Sequence, residues 1–190
     1  MEEEKIQIVA FSTNDTEDTP MDIINRYLSS IKNNILKKTK HAIPFTTQFA
    51  NSKLYYKIMI CFVSNFNKEY NGITDVNCYV IFIDCEQSEK REKLEIIFKY
   101  INDNCELTKK FFIFLMKRGN KSEIKHEEIK KKFEKLTVKF EIKSINLNNQ
   151  NDINNGIKEI LMYSTKHSIN EKIEEDEIYK DKNQKSCIIF

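Results

Sequence analysis

Six consecutive apolar residues, Phe111-Phe112-Ile113-Phe114-Leu115-Met116, leave no polar side for water. A strand with one wet face alternates, whereas a short unbroken apolar run fits a strand buried on both faces, as in a parallel sheet between two layers of helices. The chain is therefore expected to be α/β. Gly119-Asn120-Lys121 follows the run closely and reads as a turn at its carboxyl end. Open α/β sheets bind ligands in that place, outside the carboxyl ends of their strands.

The elements around this strand alternate in the same sense. Lys5 to Phe11 reads as a first, central strand, followed by a polar and acidic loop from Ser12 to Asp18. Thr19-Pro20-Met21-Asp22 carries the signals of a helix start: Thr as N-cap, Pro at the first helical position and an acid in the first turn. Ile23, Ile24, Tyr27, Leu28 and Ile31 then recur at helical spacing. The basic run Lys32 to Lys40 is expected to be a solvated helix end. His41 to Phe49 leads into a strand, and Leu54 to Val63 reads as a long strand antiparallel to it, with Asn51-Ser52 as the turn between them. Val80 to Cys85 is a further strand, and Leu94, Ile97, Phe98 and Ile101 stripe the helix after it. Ile129, Phe133 and Leu136 mark another helix, Val138 to Ile142 a last strand, and Ile153, Ile157, Ile160 and Leu161 a last helix.

Composition removes several classes of function. A net charge of +2 from 31 basic and 29 acidic side chains gives no overall field for nucleic acid. Cys61, Cys78, Cys85, Cys105 and Cys187 include no C-x2-C pair, so a reducing, cytosolic compartment is expected rather than a zinc or redox site, with Cys61, Cys78 and Cys85 as small core residues. His41, His126 and His167 have no carboxylate or cysteine at a motif spacing, which leaves a hydrolase or metal cluster without support. The amino terminus is acidic where a signal peptide would be basic, and no apolar run reaches the ~18 residues of a membrane span.

Asn120-Lys121-Ser122-Glu123, after a buried strand, resembles the Asn-Lys-x-Asp motif with which small GTPases of the Ras superfamily recognise guanine, with Glu in place of Asp. Asn25-Arg26-Tyr27-Leu28 resembles the first helix of the Rab type, Val80 to Asp84 the Val-Tyr-Asp strand, and Ser88 to Leu94 the Ser-Phe-x-x-Leu helix start. Ser144-Ile145-Asn146 occupies the place of the Ser-Ala-Lys turn. The resemblance covers Lys5 to about Thr165 and implies a Ras-like, mainly parallel six-stranded sheet with helices on both faces. It further implies a vestigial guanine site at Asn120, Lys121, Glu123 and Ser144. Phosphate chemistry departs from the family. Between Phe11 and Pro20 there is no Gly and no Lys for a P-loop, and Asp15, Glu17 and Asp18 stand where phosphates would lie. Val63-Ser64-Asn65-Phe66-Asn67 replaces Asp-x-x-Gly-Gln, so the residues that would order magnesium and the attacking water are missing.

From Lys166 the apolar pattern ends, and residues 166–190 read as a flexible tail after a domain over 1–165. The tail closes on Cys187-Ile188-Ile189-Phe190, which has the form of a C-a-a-X prenylation box with Phe favouring geranylgeranyl. Five Lys against six acids over this tail provide no polybasic second anchor. The expected protein is a prenylated pseudo-GTPase without cofactor or metal, cytoplasmic and peripheral on the cytosolic face of a membrane. It would serve vesicle traffic or signalling through protein partners, with a prenyl-binding chaperone among them. Two alternatives stay open: a divergent active GTPase that binds GTP and magnesium, and a structural subunit of a larger complex.

Overall fold

A computed structural model of the chain describes residues 3–30, 34–35, 39, 41–48, 55–63 and 75–165. Its elements in chain order are β1 (Glu3–Ser12), α1 (Pro20–Ser30), β2 (Asn34–Ile35), β3 (Ala42–Thr47), β4 (Tyr55–Phe62), β5 (Cys78–Asp84), α2 (Lys90–Asn104), β6 (Lys110–Lys117), α3 (His126–Lys135), β7 (Phe140–Asn146) and α4 (150–165). One sheet holds every strand in the order β2-β3-β4-β1-β5-β6-β7. β1 pairs parallel with β4 and with β5, β5 with β6, and β6 with β7, while β3 runs antiparallel to both β4 and β2. The fold is thus α/β with a mostly parallel sheet and four helices.

Period-two side-chain alternation divides the core into two layers. Ile8, Ala10, Val80, Phe82, Phe112 and Phe114 pack with Ile23, Ile24 and Leu28 of α1 and with Ile153, Ile157 and Leu161 of α4. Their sequence neighbours Val9, Phe11, Ile81, Ile83, Phe111 and Ile113 face the other way, onto Leu94, Ile97 and Ile101 of α2 and Ile129 and Phe133 of α3. This is why β6 has no polar position between its ends: all of Phe111 to Met116 lie within 2% of complete burial. At ~1.5–3 kcal/mol for each large apolar side chain removed from water, the six make β6 one of the strongest anchors of the sheet.

α1 begins where the sequence places it. The Thr19 N–H and hydroxyl donate to Asp22 Oδ2 at 3.0 and 2.7 Å, and the Asp22 N–H donates back to Thr19 Oγ1 at 3.3 Å. That is a reciprocal capping box with Asp at its third helical position. The central position of β1 and the antiparallel β3–β4 pair also match expectation. Two boundaries differ. β2 pairs Asn34 and Ile35 with Thr46 and Phe45 in the stretch expected to be a helix end, because strand pairing satisfies backbone groups along the β3 edge; it makes a short seventh strand beside the six expected. β7 begins at Phe140 and runs to Asn146, since each of its residues finds a partner on β6 from Phe111 to Lys117. The Asn51-Ser52 turn and the tail from Lys166 lie outside the described residues.

Candidate site at the carboxyl ends of the parallel strands

After β1 the chain enters α1 on one face and continues to the β2-β3-β4 side; after β5 it enters α2 on the other face and continues to β6 and β7. The loops leaving β1 and β5 therefore part in opposite directions, and the crevice between them is the position where folds of this class place ligands. The two strand ends are stitched together, with Thr13 N–H donating to Phe82 O at 3.0 Å and Asp84 N–H donating to Thr13 Oγ1 at 2.8 Å.

A guanidinium occupies this crevice. Arg118, the first residue after β6, directs Nη1 to Asp84 Oδ2 at 2.9 Å and Nε and Nη2 to Asp18 Oδ2 at 2.9 and 2.8 Å. Glu86 Oε2 lies 3.6 Å from the same Nη1, and its Oε1 accepts the backbone N–H groups of Arg118 and Gly119. Asp18 also faces Arg26 at 3.8 Å, and Arg26 donates to Leu147 O at 2.8 Å. Asn148 donates through its amide to Arg118 O at 2.6 Å, which draws in the turn after β7. Residues that follow β1 and close β5 thus meet at the Arg118 guanidinium, the turn after β7 joins through the Arg118 backbone, and Asp18 adopts φ 45°, uncommon for a residue with a Cβ.

Asp84 sets the electrostatics. Its side chain is completely buried, and burial by itself would raise its pKa. The bonds from Arg118, the Glu86 N–H and the Asn14 amide, with the Arg118 charge, outweigh that and hold the carboxyl below its ordinary value. Arg118 moves up in turn: partial burial opposes its charge, but Asp84 and Asp18 overcome this.

Beside the crevice, between the β1–α1 loop and the end of β4, lies a cavity of about 180 Å3 whose lining includes Asn14, Asp15, Thr19, Met21, His41 and Phe62. Asn14 Oδ1 is buried and has no hydrogen-bond partner among the described residues.

The residues expected to recognise guanine are distributed unevenly. Asn120 and Lys121 are exposed in the loop after β6. Glu123 holds that loop down through its backbone, donating its N–H to Cys85 O at 2.7 Å and accepting from Arg91 at its carbonyl. Ser144 is not in a turn: it is exposed within β7, opposite Leu115, and the turn falls at Leu147 and Asn148. Cys187 lies outside the described residues. The buried cysteines behave as core residues, with burial pushing the Cys78 and Cys85 thiols up to about 12, so neither is a nucleophile at neutral pH. Among the described residues there is no cluster of metal-ligating side chains and no helix long and apolar enough to cross a membrane.

Sequence reasoning did not connect Arg118 with Asp84, Asp18 and Glu86. Asp84 at the end of an apolar strand and Arg118 directly after another were the available signal, since adjacent parallel strands bring their carboxyl ends together. No model of a known protein family matches the chain, and no curated protein matches it.

Proposed function

We propose that the chain is a degenerate Ras-like module that is not switched by GTP and acts through its surfaces at a membrane. The observation that carries this reading is the Arg118 network: the crevice where a nucleotide would lie is closed by the protein's own ion pairs. A purine triphosphate would have to displace a guanidinium bound to a fully buried carboxylate. It would also meet Asp15, Glu17 and Asp18 with no glycine cradle or phosphate-binding lysine in that loop. With the short β2 set aside, the strand order β3-β4-β1-β5-β6-β7 is compatible with the Ras-like arrangement that the motifs imply.

The α1 amino terminus adds support. Pro20 has no N–H to offer, and the Thr19 and Asp22 N–H groups are already used in the capping box, so little of the usual anion-binding capacity of a helix start remains. Cys187, prenylated, would tether the module to the cytosolic face of a membrane in vesicle traffic or signalling. A single prenyl chain holds weakly, so a protein partner or a prenyl-binding chaperone would govern its residence there. Nucleotide extracted from the freshly purified, denatured protein and resolved by chromatography is the test. The proposal expects no guanine nucleotide, and a stoichiometric amount of GDP or GTP would overturn it.

A further inference from the structure

We propose that the outer edge of β7 pairs antiparallel with β7 of a second copy of this chain, in a register centred on Ile142. The proposal stands apart from the nucleotide question, since this edge forms the flank of the sheet and not the crevice at its carboxyl ends. β7 is the last strand in the sheet order, so β6 takes one of its edges and no strand among the described residues takes the other. Its pairing with β6 is unbroken from Phe140 to Asn146, with no proline or bulge to bend that outer edge away.

Parity fixes which backbone groups that edge offers. Phe111 N–H donates to Lys139 O at 2.9 Å and Leu147 N–H donates to Lys117 O at 2.7 Å. In a parallel ladder every second residue bonds to the neighbouring strand, so Glu141, Lys143 and Ile145 direct their N–H and C=O groups at β6. Phe140, Ile142, Ser144 and Asn146 direct theirs outward. Asn146 N–H is held by Asp152 Oδ2 at 3.4 Å. No hydrogen bond among the described residues takes up the outward groups of Phe140, Ile142 or Ser144. Such an edge is a template for one more strand.

Charge selects both the occupant and the register. An antiparallel pair of identical strands closes with two-fold symmetry, so each contact is made twice. Centred on Ile142, the pair sets Ile142 against its counterpart and Phe140 against Ser144, and these outward residues exchange N–H···O=C bonds. It also sets Glu141 opposite Lys143 of the other copy, in the type of pair that brings side chains closest. Glu141 is exposed and has no ion pair among the described residues. Lys143 meets Glu159, and its three N–H groups can serve a second carboxylate as well. Moving the centre by one residue would oppose Lys143 to Lys143 or Glu141 to Glu141. Moving it to Ser144 loses both opposite-charge pairs and calls on the Asn146 N–H, which is already bonded.

Analytical ultracentrifugation of the full chain from about 10 μM to 1 mM, with amide hydrogen exchange of the 15N-labelled chain over the same range, tests this. The proposal expects a dimer with Kd on the order of 100 μM, since one strand pair buries less than a standard interface. The amides of Phe140, Ile142 and Ser144 should become protected as the dimer forms, while those of Glu141, Lys143 and Ile145, bonded to β6 in either state, should not change. Glu141→Lys and Lys143→Glu, both at positions open to solvent, should each weaken self-association about tenfold by placing like charges opposite one another. An equimolar mixture of these two variants restores both opposite-charge pairs and should associate about as tightly as wild type, which a variant that had merely misfolded could not do. A chain that stays monomeric at 1 mM, a dimer without protection at Phe140, Ile142 and Ser144, unchanged association of both variants, or a mixture no tighter than its components would overturn the proposal.

Discussion

Replacing Arg118 by methionine keeps an aliphatic side chain of similar reach and removes the only guanidinium that meets Asp84 among the described residues. With charge centres about 4 Å apart and an effective dielectric near 20, the attraction is about 4 kcal/mol. Arg118 is 29% exposed, so solvent reduces that figure, while its pairs with the partly exposed Asp18 add about 0.5 kcal/mol. The variant would leave the Asp84 carboxylate fully buried, bonded among the described residues to the Glu86 N–H and the Asn14 amide. We expect a loss of about 3 kcal/mol, near the lower end for a broken buried pair. In a folded body of this size that lowers Tm by roughly 8 °C. Asp84→Asn should cost less, about 1 kcal/mol, because Arg118 can turn to water and to Asp18 whereas Asp84 has no such escape. Chemical denaturation and differential scanning calorimetry of both variants measure the difference. Arg118→Met within 0.5 kcal/mol of wild type, or Asp84→Asn costing more than Arg118→Met, would refute the reasoning.

The pH dependence follows from the same pair. Asp84 is held below its ordinary value, so its contribution is present at neutral pH and is lost as acidification carries the pH below about 4 toward the lowered folded value. The stability gap between wild type and Arg118→Met should therefore narrow as the pH falls below about 4 in denaturant titrations; a gap that stays constant there would contradict it. Gly156 lies on α4 where an added Cβ would stand 3.1 Å from Ile145 Cγ2 and 3.2 Å from Phe114 Cε1, so Gly156→Val should lower stability by ~1–3 kcal/mol in the same titrations. The wild-type chain should partition with membranes from cells and carry a prenyl group on Cys187 by mass spectrometry, while Cys187→Ser stays in the soluble fraction.

Much of the fold can be read directly in local sequence. The Phe111 to Met116 run required cover on both faces and has it, and Thr19-Pro20-Met21-Asp22 contains its own cap. Boundaries were harder to place where pairing rather than pattern decides them. β7 carries Glu141, Lys143 and Ser144, polar residues on an edge strand that only the register with β6 extends to Asn146. The ion-pair network had no local signature beyond Asp84 and Arg118 each closing an apolar strand. Asp18, Asp84 and Arg118 lie 34 or more positions apart in the chain, and each alone has the appearance of a solvated loop charge. Their contact arises only when parallel pairing aligns the carboxyl ends of β1, β5 and β6.

The measurement that bears most directly on the central claim is the thermal unfolding of the full chain with and without 1 mM GTP and magnesium. A GTPase with Kd ~1 μM would gain about 4 kcal/mol under those conditions, which at this size raises Tm by roughly 8–16 °C. The Arg118-closed crevice predicts no rise beyond experimental scatter. A rise of that size, abolished by Asn120→Ala, would contradict the account.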